Sequence, residues 1–131
     1  DSAQQNLSSV SSYQDVNNLS INFTPVSASS TLIIKADLAM YIEGTGSTPG
    51  KLTVSIDHDG SSQQTVFRSG GTGSETYQMT QAICDRVISS GSTSARTIKV
   101  QVKGTGEDHC HLNVNAGTYD RCRLSVMEVG A

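Results

Sequence analysis

Tryptophan is absent from this sequence, and aromatic residues together make up only 5% of it. Hydrophobic residues stand at 35%, below the usual share for a globular chain, so the core must be thin and drawn from short aliphatic runs. There are only 2 prolines and 3 cysteines, Cys84, Cys110 and Cys122. A small, odd number of thiols is not a disulfide framework and fits folding in a reducing cytoplasm. No apolar stretch approaches the ~20 residues of a membrane helix, and no basic-then-apolar leader is present, which argues against membrane insertion. An excess of positive charge is missing as well. The 9 basic and 12 acidic residues give a net charge of −3 and lie scattered, without the basic stripe that nucleic acid requires. No internal repeat is visible. The chain starts at Asp1 and is expected to be processed, trimmed or part of something longer.

What abounds is small and polar: 20 serines, 13 threonines and 12 glycines. This mixture suits turns and the outward faces of strands. A length of 131 residues fits one domain with one core. Residues 1–17 are polar and aperiodic and read as an N-terminal arm or linker, leaving 18–131 as the β-sandwich head domain. Leu19–Thr24 alternates until Pro25 ends it. Thr31–Glu43 carries the strongest signal, with Leu32, Ile34, Ala36, Leu38, Met40 and Ile42 on one face and Lys35, Asp37, Tyr41 and Glu43 on the other. That is a period of two, which no helix reproduces. Lys51–Asp57 repeats the pattern, Asp59–Gly60 signals a hairpin turn, and Gln64–Arg68 is a short return strand. Thr76–Ile88 reads either as a bulged strand or as a strand followed by a short helical turn near Ala82–Val87. Arg96–Lys103, His109–Asn115 and Cys122–Val129 alternate again, with a hairpin loop expected at Ala116–Arg121 between the last two. About eight strands and no βαβ rhythm predict an all-β fold, an antiparallel two-sheet sandwich of the jelly-roll kind.

Few residues form a chemical constellation. His109 and His111 flank Cys110, and in a strand two such imidazoles share a face that can hold a metal, with His58 or Asp120 as a third ligand in space. The plainer and preferred reading is two polar residues on the solvent face of an edge strand, with no metal. Cys110 and Cys122 are expected to face each other across the predicted hairpin, either as a disulfide or, preferred for a cytoplasmic origin, as two buried thiols. Cys84 reads as a core filler. Asp57-His58-Asp59-Gly60 starts like a calcium loop but lacks the later ligands, and a type I′ turn is preferred. Glu107, Asp108 and His109, or Glu43 with Asp57, supply acid–base groups that nothing in the sequence places in a cleft. With no G-x-S-x-G and no catalytic constellation, the chain is expected not to be an enzyme and to need no cofactor.

Two segments resemble a known group of proteins. SSYQDVNNLSINFTPVSASSTLIIKADLAMYIEG sets a Tyr-Asp-Val lead-in before a short strand, Thr24-Pro25, a small-residue loop and a long aliphatic strand. CHLNVNAGTYDRCRLSVMEVG ends the chain on an aliphatic strand with Met127-Glu128. Both are similar to the small C-terminal β-sandwich domains of tail-fibre and related virion structural proteins of tailed phages, over most of residues 11–131. Such domains resemble the trimeric jelly-roll heads of the tumour-necrosis-factor and complement C1q type. The resemblance implies a homotrimer, assembled in the host cytoplasm and carried on the virion among other virion proteins. It implies attachment to a host-surface glycan or protein through loop tips, for which Thr45, Ser47, Gly71, Thr72, Glu107 and Asp108 are the candidates. Tyr77 and Tyr119, beside loops, read as sugar-stacking groups or, preferred, as packing residues. The alternative is a capsid decoration or head-fibre protein that docks on the shell through the 1–17 arm.

Overall fold

The even-numbered aliphatic residues of the long third strand set the plan of the molecule. Leu32, Ile34, Ala36 and Leu38 are all fully buried, and their odd-numbered neighbours face outward. Two shorter strands answer them from the opposite layer with Val54 and Ile56, and with Ile98, Val100 and Val102, again at zero exposure. Each such side chain contributes about 1.5–3 kcal/mol by leaving water. One aliphatic core between two sheets follows, with Val16 and Leu19 completing it and Phe23, Ile88, Leu124 and Val126 packed against its margin. The computed structural model describes residues 5–8, 11–43, 51–70, 77–105, 109–112 and 122–130.

Among the described residues there are nine strands: β1 Gln5–Ser8, β2 Gln14–Phe23, β3 Thr31–Glu43, β4 Lys51–His58, β5 Ser61–Gly70, β6 Tyr77–Ser89, β7 Arg96–Thr105, β8 His109–Leu112 and β9 Arg123–Val129. One sheet runs β2-β7-β4-β5. The other runs β1-β8-β3-β6, with β9 also on β3. Every pairing is antiparallel. The steps β2 to β3, β3 to β4, and β5 through β8 each cross from one sheet to the other, which is the jelly-roll winding. The β4–β5 hairpin closes on Asp59 (φ 56) and Gly60 (φ 69), the two positive φ angles of a type I′ turn.

Several elements differ from expectation. Strand structure begins earlier than residue 18: Gln5–Ser8 pairs with β8, and β2 starts at Gln14. Its pairing with β7 jumps from Asp15↔Gln101 to Ser20↔Lys99, so four residues bulge out between these pairs, and Val16 and Leu19 of that bulge turn into the core. The helical turn near Ala82–Val87 is replaced by unbroken strand, with β6 paired to β3 from Tyr77↔Glu43 to Ser89↔Thr31. The pattern there misleads because Arg86 points inward and is buried while Val87 points outward and is 65% exposed. Arg86 is held inside because its guanidinium donates to the Ile56 carbonyl of the facing sheet at 2.5 Å.

The largest correction concerns the end of the chain. β8 and β9 do not form a hairpin. Both pair with the same edge of β3, β8 opposite Met40–Glu43 and β9 opposite Thr31–Asp37, and so lie end to end. Strand β3 is long enough to take both, and its aliphatic face is served by each in turn.

Candidate functional site

The strand register brings the candidate loops together. In the five-stranded sheet Glu43 pairs with both Tyr77 and His109. In the four-stranded sheet Lys51 pairs with both Gly70 and Thr105. These six residues flank the segments 44–50, 71–76 and 106–108, so all three segments leave from one end of the sandwich. The candidates Thr45, Ser47, Gly71, Thr72, Glu107 and Asp108 belong to those segments and lie outside the described residues. Tyr77 stands at the same end, as the first residue of β6. Tyr119 and Asp120 lie outside the described residues.

The opposite end is locked by hydrogen bonds. Glu128 accepts the backbone N–H of Val26 (2.9 Å) and of Ser27 (3.1 Å) and the hydroxyl of Ser30. The Ser30 hydroxyl, then the Val26 N–H, hold its carboxyl below the usual glutamate range. Ser90 ties the next turn to this loop, its N–H donating to the Ser30 carbonyl at 2.9 Å and its hydroxyl to the Ser27 carbonyl at 2.6 Å. Arg96 donates to the Ser90 carbonyl at 2.5 Å. Asp59 exchanges bonds with Thr97, its N–H to the Thr97 carbonyl at 3.0 Å and its carboxylate from the Thr97 N–H at 2.9 Å. Side chains therefore fix this end of the scaffold, opposite the end at which the segments 44–50, 71–76 and 106–108 begin and end.

The remaining sequence candidates disperse. β8 lies between β1 and β3 and is not an edge strand; His109 and His111 stand opposite Glu43 and Tyr41 in the register. His58 ends β4 at the locked end, about 20 Å along that strand from the end where His109 sits, so it is no third ligand for the pair. Among the described residues no group of three or more His, Cys, Asp or Glu could hold a metal. Cys110 is opposite Ile42, whereas Cys122 precedes Arg123, which is opposite Asp37, and the Cys122 thiol donates to the Ala39 carbonyl at 3.7 Å. Roughly 10 Å or more of β3 separates the two cysteines, beyond the reach of a disulfide, and they do not face each other across a hairpin. Glu43 and Asp57 likewise stand near opposite ends of the sandwich, too far apart for a glycosidase pair.

Two features escaped the sequence reading. On the outer face of the four-stranded sheet, Asp15 accepts from Gln101 at 2.6 Å and from Lys99 at 2.9 Å, while Lys99 also lies 3.9 Å from the buried Asp57. The Gln101 bond, then the Lys99 contact, lower the Asp15 carboxyl, and Asp15 raises the Lys99 ammonium in return. Residues 15 and 99 were invisible as partners because 84 residues separate them. The second feature is an open cleft of about 530 Å³ between β2 and β9, lined by Asn18, Leu19, Asp37, Cys122, Arg123 and Ser125 among others. Asn18 sits there at φ 61, inside the β2 bulge, a conformation asparagine tolerates better than most residues.

No protein-family model matches the chain, and no curated protein matches it. Among solved structures it is similar to a chain in the structure of infectious bursal disease virus, Gx strain, at 12% identity and a TM-score of 0.34. The match covers 96% of this chain and 35% of that one, so the chain spans about a third of its neighbour's length.

Proposed function

We propose that this chain is a bacteriophage virion structural protein, the head domain of a tail fibre or tail tip, which binds the host surface and does no catalysis. The observation that carries the reading is the strand register, which sets the bounds of two Gly-, Ser- and Thr-rich segments, 44–50 and 71–76, and of the short acidic segment 106–108 at one end of the sandwich. A rigid scaffold with variable loops at one end is the usual architecture of a recognition surface. The phage resemblance of residues 11–131 supplies the setting, a homotrimer assembled in the host cytoplasm and mounted on the particle. The partner would be a host-surface glycan or protein, met by Thr45, Ser47, Gly71, Thr72, Glu107 and Asp108.

Docking on the capsid through the N-terminal arm is the second reading. The pairing of Gln5–Ser8 with β8 weighs against it, because a strand already spent in the sheet is not free to order on a shell. Binding of the labelled protein to intact host bacteria, with capsids lacking the protein as the parallel sample, tests both. Saturable binding to cells that is lost when 44–50 and 71–76 are each replaced by Gly-Ser spacers supports the head-domain reading. Binding to capsids alone overturns it.

A further inference from the structure

The two sheets present different outer surfaces. On the four-stranded sheet the side away from the core is polar: Asp15 and Thr97 are exposed, Lys99 and Lys103 half-buried, Ser55, Asp57 and Gln101 buried, and Asp15 accepts from both Lys99 and Gln101. On the five-stranded sheet the register draws an aliphatic row instead. Ile33 is the direct cross-strand partner of Val87 on one side and of Met127 on the other. Val87 is 65% exposed, Met127 54% and Val129, in the next row, 44%. Single exposed aliphatic residues are ordinary, but a contiguous row across three strands marks a surface that something covers.

The charges beside that row say what kind of partner suits it. Lys35 pairs across the sheet with Asp85, and Asp37 with Arg123, in the two successive outward rows. The four charges sum to zero. Their signs run minus then plus from β6 to β3 in one row, and minus then plus from β3 to β9 in the next, so both signs stand side by side. A face of this kind meets a copy of itself without net repulsion and can set base against acid across the contact. An apolar patch with a mixed, neutral border is also the anatomy of a protein–protein contact.

We infer that the outer face of the five-stranded sheet, centred on Ile33, Val87 and Met127 and bordered by Lys35, Asp37, Asp85 and Arg123, is the surface through which copies of this chain associate. The inference rests on the self-association put forward above and adds where it occurs. Sedimentation velocity and native mass spectrometry on the full chain test it, with Val87→Lys/Met127→Lys against Thr97→Lys as a control on the other sheet. Retained β-sheet circular dichroism shows that each variant folds. The expected result is a multiple of the 13.8 kDa chain mass for the wild type and the control, and a single chain for the double variant. A double variant that associates like the wild type overturns the assignment of the face and leaves self-association standing. A wild type that stays a single chain at high concentration overturns both, and gives the face to a different virion protein.

Discussion

Glu128 governs a loop that lies about a hundred positions earlier in the chain. Its carboxylate, negative and multiply bonded, fixes Val26, Ser27 and Ser30 while carrying β9 beside β3. Because its folded pKa is below the ordinary 4.5, the stability it supplies is present in full above that value and is lost as pH falls through the lowered one. Thermal unfolding of the wild type is therefore expected to fall in temperature below pH 4.5, and Glu128→Gln is expected to flatten that part of the profile while lowering the plateau. Equal pH slopes for the two proteins would remove Glu128 from this role. Arg86 acts within the core. Arg86→Ala leaves the Ile56 carbonyl without its guanidinium donor and is expected to cost about 1–3 kcal/mol, read from the urea midpoint.

Among the elements, the β4–β5 hairpin depends on its turn. Gly60 has φ 69 and open space where a Cβ would go, so Gly60→Ala is a purely conformational change. It is expected to lower stability by about 1 kcal/mol in urea unfolding, without change of fold by circular dichroism. This turn was legible from Asp59-Gly60 because turn chemistry is local. Strands β3, β4 and β7 were legible for the same kind of reason, since strict alternation writes one buried face into neighbouring residues. Strand β6 was not, because Arg86 and Val87 reverse the polarity rule, and that reversal has its cause in the facing sheet and on the outer surface. The pairing of β8 and β9 was not legible either. Nothing in His109–Asn115 or Cys122–Val129 states that both will queue along one edge of β3; only the length of β3 permits it. The loop candidates were named by composition, but their common end is a property of the register alone.

At the scale of the whole molecule, the proposed loop surface and the N-terminal strand call for different tests. The described core is built from the strands and not from 44–50 or 71–76, so Gly-Ser replacement of both segments is expected to leave the melting temperature within a few degrees while cell binding falls to background. Removing residues 1–8 is a different operation. It takes β1 away from β8 and uncovers a row of backbone donors and acceptors, so this deletion is expected to raise aggregation, measured by light scattering on heating. A deletion that stays as dispersed as the full chain would show that β8 needs no cover.

The queue of β8 and β9 along β3 also makes the molecule a natural carrier. Leu112 stands opposite Met40 and Arg123 opposite Asp37, with both strands antiparallel to β3, so the two anchor points are set by β3 and not by what runs between them. Cargo sewn in at the middle of that interval, a peptide epitope or a small folded module, would be tethered at both ends to the middle of β3. The closure penalty grows only slowly with length, about 0.6 kcal/mol per doubling, which makes this interval the place to graft.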